Sequence, residues 1–143
     1  MNVARILKDK GRAIVTAPPH TSISEIVAIL TAKKIGALVV CDEDHRVKGI
    51  ISERDIVRIL AADGSAVLDA PVSQYMTKDV ITCTEHDTIT WLMEEMTTHR
   101  FRHMPVVEGG SLTGIVSIGD VVKLRLAECE LDAASMREYI ATG

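Results

Sequence analysis

Two short segments hold the residues best equipped for chemistry: Gly49-Ile50-Ile51-Ser52-Glu53-Arg54-Asp55 and Gly114-Ile115-Val116-Ser117-Ile118-Gly119-Asp120. In each, a glycine and two aliphatic residues lead into Ser-x-x-Asp. At a helix start that spacing is a capping box, in which the serine oxygen accepts from a backbone amide and the carboxylate reaches back. The same helix start offers free N–H donors and a partial positive charge, which suit an anion. A cap alone accounts for one occurrence; two, each after the same Gly-aliphatic-aliphatic lead, point to a repeated site. Arg54 lies inside the first segment, and Arg100 and Arg102 precede His103. Guanidinium forks match phosphate oxygens well. His99 and His103 are four apart, a spacing that suits a metal on one helix, but the pattern puts His99 at a helix end and His103 in a strand, so no zinc site is expected. His20 and His86 occupy equivalent polar turns and read as a structural pair. There is no nucleophile–base pair, phosphate-binding P-loop or glycine-rich dinucleotide fingerprint.

The elements that must position these residues occur twice. Ile14-Val15-Thr16 returns as Val80-Ile81-Thr82, and His20 and Ile23 as His86 and Ile89, at an offset of 66. The offset then drops to 65, because the turn Cys41 to Lys48 is one residue longer than its counterpart around Gly109-Gly110. Each copy predicts a short strand (Ala13 to Thr16; Val80 to Cys83) and then an amphipathic helix. Ile23, Ile26, Val27 and Leu30, and again Ile89, Leu92, Met93 and Met96, form the i, i+3, i+4, i+7 stripe. Ser22 with Glu25 reads as a capping box. Two buried strands follow, Ala37 to Val40 and Gly49 to Ile51, matched by Met104 to Val107 and Gly114 to Val116. A second helix starts near Glu53 or Ile118, with Ile56, Val57 and Leu60, or Val121, Val122 and Leu126, as its apolar face.

The fold class is therefore α/β (α+β), two β-α-β-β-α repeats packed with pseudo-twofold symmetry. We expect repeat 1 with its lead-in over 1–62, a linker over 63–74, repeat 2 over 75–127 and a helical extension over 128–143. Val3 to Leu7 parallels Val72 to Met76, so it is expected to open the first unit. A unit of this size is poorly stable alone, so the copies must share a core.

Over roughly residues 1 to 127 the sequence resembles a tandem pair of cystathionine-β-synthase (CBS) domains, a Bateman module. The resemblance rests on the two Gly-Ile-[Ile/Val]-Ser segments, on Tyr75-Met76-Thr77, and on His99-Arg100-Phe101-Arg102-His103-Met104-Pro105-Val106-Val107. It implies a regulatory module rather than an enzyme, binding adenosine-containing ligands: AMP, ADP, ATP, S-adenosylmethionine or sometimes NADH. It further implies that the motif aspartate accepts from the ribose hydroxyls and the motif serine meets phosphate. Ser52 and Asp55 then serve one cleft, Ser117 and Asp120 the other. Adenine is expected between Ile14, Val15, Thr16 and Ala37, Leu38, Val39, or between Val80, Ile81, Thr82 and His103, Met104, Pro105. Arg102 and His103 would serve phosphate in the second cleft, while the first has Arg54 and the small Gly36 and Ala37. Disc-shaped homodimers are common among such pairs, so a homodimer and a regulated partner protein are expected.

Bulk properties set the remaining bounds. The chain has 143 residues, 47% of them hydrophobic and 25% charged, a balance suited to a folded protein. A net charge of -4 with one Trp, one Phe and two Tyr argues against nucleic-acid binding, which wants a basic stripe or stacking aromatics. Three widely spaced cysteines without a signal peptide read as reduced, cytoplasmic thiols. No run is long enough to span a membrane. An inosine monophosphate dehydrogenase-like enzyme is disfavoured, since too few residues remain for a catalytic domain. A constitutive dimerisation scaffold with empty clefts is the alternative. A long final helix, uninterrupted by Gly or Pro from Asp120 toward Tyr139, is expected to offer a dimer contact.

Overall fold

The computed structural model describes residues 1–142. Its elements run α1 (Val3–Lys10), β1 (Thr16–Ala17), α2 (Ile23–Lys33), β2 (Ala37–Cys41), β3 (Val47–Ser52), α3 (Glu53–Asp63), α4 (Ile89–His99), β4 (His103–Glu108), β5 (Ser111–Ser117) and α5 (Ile118–Thr142). Two 3-10 turns, Ser65–Asp69 and Val72–Gln74, fill the connection between α3 and α4. Strands β2 and β3 pair antiparallel, as do β4 and β5, with Ala37 opposite Ser52 and His103 opposite Ser117. That register brings each motif serine beside the start of the preceding strand.

The opening strands are shorter than expected. In the first unit only Thr16 and Ala17 pair, parallel to β2. In the second, Val80 to Cys83 is reduced to a single bridge between Cys83 and Val106. The sheets are therefore three-stranded and two-stranded. The α2 cap forms in half: Ser22 Oγ accepts from the Glu25 amide at 3.2 Å. On the second helices the buried face is turned from the predicted one. Ile56 and Ile59 in α3, and Val121 and Leu124 in α5, are buried, whereas Val57, Val122 and Leu126 are exposed. A stripe drawn through adjacent aliphatics catches the neighbouring face when the helix offers more apolar residues than its contact needs.

The lead-ins pack across the molecule. Val3, Ile6 and Leu7 of α1 lie in the second unit's core with Leu92, Met96, Met104 and Val116. Val67, Val72, Tyr75 and Met76 complete the first unit's core around Ile26, Leu38 and Ile51. Each lead-in thus seals the opposite repeat, and the connection 63–74 contributes Val67 and Val72 to the first unit's core. The contact requires glycine at equivalent strand positions. A Cβ on Gly49 would sit 2.5 Å from Met76 Sδ, and one on Gly114 would sit 2.8 Å from Leu7 Cδ2. Between the units, Val39, Cys41 and Leu112 bury a third cluster with Ile14, Ile50 and Ile115. Apolar contact at both lead-ins and at this seam supplies the burial that neither repeat achieves alone.

Candidate functional site

Both capping boxes form. Ser52 Oγ accepts from the Asp55 amide at 3.2 Å, and Asp55 Oδ2 accepts from the Ser52 amide at 2.9 Å. Ser117 and Asp120 repeat these two distances at the start of α5. Each box engages a single carboxylate oxygen, so capping and ligand recognition by the same aspartate are compatible. Asp55 Oδ1 also accepts from Arg58 Nη2 at 2.6 Å, an arginine whose side chain is largely exposed and can swing away.

Symmetric backbone bonds fix the surroundings of each motif. The Glu53 amide donates to the Gly36 carbonyl at 2.9 Å, and the Ile118 amide donates to the Arg102 carbonyl at 2.8 Å. Lys34 and Arg100 close α2 and α4 in the left-handed conformation, with φ of 54° and 56°. The turn at Arg100 redirects the chain and delivers Phe101, Arg102 and His103 to the mouth of a cleft.

That cleft, about 380 Å³, belongs to both repeats. One wall carries Ala37, Ile50, Ser52, Asp55 and Arg58; the other carries Thr77, Asp79, Val80, Ile81 and the segment His99 to His103. A side pocket of about 180 Å³ joins Gly36, Ser52, Glu53 and Arg54 to Arg100, Phe101, Arg102 and His103. The second motif faces a different cleft, about 330 Å³, lined by Lys10, Ala13, Val15, Ile35, Gly36, Ala37, His103, Ile115 and Ser117. Asp120 is set beside it, in a pocket of about 150 Å³ with Lys10 and Lys123.

Each cleft draws on both copies, where the expectation gave one copy's strands to each. Each motif faces the other copy's opening segment, so Arg100, Arg102 and His103 attend Ser52 and Asp55, while Ser117 faces Gly36 and Ala37. Of the residues expected to wall the adenine, Leu38, Val39 and Met104 are fully buried, Pro105 is buried, and Ile14 packs in the inter-unit cluster. Thr16, Thr82, Ile118 and Gly119 line none of these cavities. Of the expected residues, Ala37, Ser52, Asp55, Val80, Ile81, Arg100, Arg102 and His103 meet in one cleft, with Arg54 in its side pocket.

Sequence reasoning missed Arg58, Thr77, Asp79 and Phe101 in the first cleft, and Lys10 in the second. The lead-in alignment held a signal, since continuing Leu7 onto Met76 sets Lys10 against Asp79. Lys10 Nζ donates to Asp120 Oδ2 at 2.7 Å and to the Ile115 carbonyl at 3.1 Å. Burial raises the Asp120 carboxyl, but the Lys10 bond and the Ser117 amide outweigh it and hold the group below the ordinary carboxylate range. His103 lines both clefts and the side pocket. Burial first, then the Lys10 charge, pulls its imidazole below the ordinary histidine value against the pull of Asp120 and Glu53, favouring the neutral ring. The first cleft therefore carries three guanidinium groups against two carboxylates, whereas the only cation lining the second is already paired with Asp120.

Two α/β repeats, each closing on a capped Ser-x-x-Asp helix start that faces a cleft shared with its twin, define a duplicated pair. The chain belongs to the CBS-domain family: the CBS domain model matches residues 6–62 and again 72–127, which makes it a tandem CBS pair, a Bateman module. The CBS-domain-containing protein ATU1752 from Agrobacterium tumefaciens is 51% identical with a TM-score of 0.84, over 87% of this chain and 99% of that one. The CBS domain protein PAE2072 from Pyrobaculum aerophilum, solved in complex with AMP, is 29% identical with a TM-score of 0.76, over 90% and 99% of the two chains. An uncharacterized 17.7 kDa protein from Acidianus ambivalens is 41% identical over 109 residues, covering 76% of this chain. The chain spans 65% of that relative's length. Among the described residues, no helix is long and apolar enough to cross a membrane.

Proposed function

We propose that the chain is a regulatory module that takes an adenine nucleotide, AMP or ATP, in the cleft beneath Ser52 and Asp55 and thereby alters a partner protein. One observation carries this reading: Arg58, Arg100 and Arg102 converge with the capped start of α3 on a cavity of about 380 Å³ that also carries Ala37, Ile50, Val80 and Ile81. Its size lies within the usual range for small-molecule sites. The adenine ring fits between Ala37 and Ile50 on one side and Val80 and Ile81 on the other. The ribose hydroxyls donate to Asp55, displacing Arg58. Phosphates lie toward Arg100, Arg102 and, through the side pocket, Arg54, where the α3 amides add their partial charge. The AMP complex of the Pyrobaculum relative supports the ligand class.

Thermal shift with AMP, ADP, ATP, NADH, NAD and S-adenosylmethionine tests the reading. A ligand at a hundred times its Kd adds about 2.7 kcal/mol of stability by mass action. AMP or ATP should raise the Tm, and Arg102→Ala and Asp55→Ala should each weaken affinity at least severalfold by calorimetry. Asp120→Ala, facing the other cleft, should leave that affinity nearly unchanged. Absence of a shift with every ligand favours the scaffold reading, in which the two Ser-x-x-Asp boxes serve only as helix caps.

A further inference from the structure

Helix α5 continues well past the body of the protein. Its inner face ends with Val121 and Leu124, both buried, and with Glu128, which pairs with the N-terminal ammonium of Met1 at 3.3 Å. Beyond that point, from 129 to 141, every residue is exposed. On another face the sequence places Val122, Leu126, Cys129, Ala133, Met136 and Ile140, spaced 4-3-4-3-4. At about 100° per residue this row lies roughly 130° around the helix from Val121 and Leu124, so a neighbour can approach without meeting the body. The four larger aliphatics are 44%, 59%, 60% and 70% exposed in chain order. Alternating steps of four and three are the a/d spacing of a two-stranded coiled coil, here over about 28 Å of helix.

We propose that this row is a coiled-coil seam and that its occupant is α5 of a second copy of the chain, running parallel and in register. The flanking charges select both occupant and direction. With Leu126, Ala133 and Ile140 at a, and Val122, Cys129 and Met136 at d, the g positions include Arg125 and Asp132, and the e positions Lys123, Glu130 and Arg137. In a parallel pair each g residue meets the e residue five places on in its partner. Arg125 then meets Glu130, and Asp132 meets Arg137, both opposite in sign. An antiparallel pair centred on the same seam sets Glu130 against Glu130, Asp132 against Asp132 and Lys123 against Arg137, all repulsive. The helix that begins at the Ser117–Asp120 motif thus ends as the arm that joins two copies.

Oxidative cross-linking of the full chain tests occupant and register together. Cys41 and Cys83 are buried and Cys129 is exposed, so diamide, taking two electrons and two protons from a facing thiol pair, should link Cys129 to Cys129. In the Cys129→Ser background, Ala133→Cys should link equally well, whereas Leu131→Cys, on the opposite face, should not. Asp132→Arg should raise the dimer dissociation constant at least tenfold by sedimentation, and adding Arg137→Asp should restore it. Equal cross-linking at 131 and 133, additive rather than compensating charge reversals, or a monomer mass for the unmodified chain at all concentrations each overturns the proposal. All these positions are exposed, so the variants leave the folded body in place.

Discussion

Replacing Leu7 with alanine asks whether the first lead-in really holds the second repeat together. Leu7 is 2% exposed and lies in the core with Leu92, Met104 and Val116. Three carbons are lost, about 2.5 kcal/mol at ~0.8 per buried methylene, and the residual cavity brings the expected loss to about 3–4 kcal/mol. The geometry of Gly114 makes the test sharper. An added Cβ would lie 2.8 Å from Leu7 Cδ2 and 3.1 Å from Cδ1. Gly114→Ala alone should therefore cost about 1 kcal/mol net, overpacking being partly offset by the smaller backbone entropy of the unfolded chain. In the Leu7→Ala background the same methyl enters vacated space and should stabilise by about 0.5–1 kcal/mol. The double-mutant cycle then shows a favourable coupling of about 1.5–2 kcal/mol. Urea unfolding followed by Trp91 fluorescence measures it, since this sole tryptophan packs against the same core. Additivity within about 0.5 kcal/mol, the behaviour of independent sites, would falsify the close approach of Leu7 to Gly114.

Ser52→Gly removes the hydroxyl while retaining a residue that caps nearly as well, so stability should change by only a few tenths of a kcal/mol. Nucleotide affinity should nonetheless fall in calorimetry; unchanged affinity would show that the hydroxyl serves the helix alone. Asp120 titrates below its ordinary value in the folded chain, so its contribution is present above pH ~4 and is lost as the pH falls through the lowered value. The stability gap between the unmodified chain and Asp120→Asn should narrow on acidification, and Lys10→Gln should return the carboxyl toward its usual pKa by NMR. Burial, with Asp87 and Glu108 nearby, pushes the Cys83 thiol up to about 12, and burial with Asp42 raises Cys41. One thiol, Cys129, should therefore react with Ellman's reagent ahead of the other two. Two fast thiols would contradict the burial of Cys41 and Cys83.

Much of the fold was legible because the duplication doubled every local signal. The strand Ala37 to Val40 and the helix start at Glu53 each had an independent copy to check against, and both are present. The opening strands were overcalled because aliphatic runs such as Ile14-Val15-Thr16 are apolar for another reason: Ile14 packs against the other unit and Val15 lines a cleft. The two motifs and the arginines were legible as residue types. Their partnership was not, because which copy faces which is decided by packing between repeats, a long-range property that leaves no spacing in the chain. Lys10 shows the same limit, since it meets Asp120 across 110 positions. The coupling of a cation at the end of α1 to a carboxylate at the start of α5 exists only once the lead-in has crossed over.

That crossing has a topological consequence. Residues 3–7 close the second repeat and residues 72–76 close the first, so the halves are clasped like two hands rather than stacked like two plates. Cutting the chain between the repeats leaves each fragment carrying the other's clasp. A one-repeat chain of the same pattern can satisfy such contacts by exchanging lead-ins with its twin, which turns the pseudo-twofold axis into a true one. The tandem chain is thus a swapped dimer written on a single thread. The clefts, each built from both strands of that exchange, are the part of the molecule that no single repeat can make.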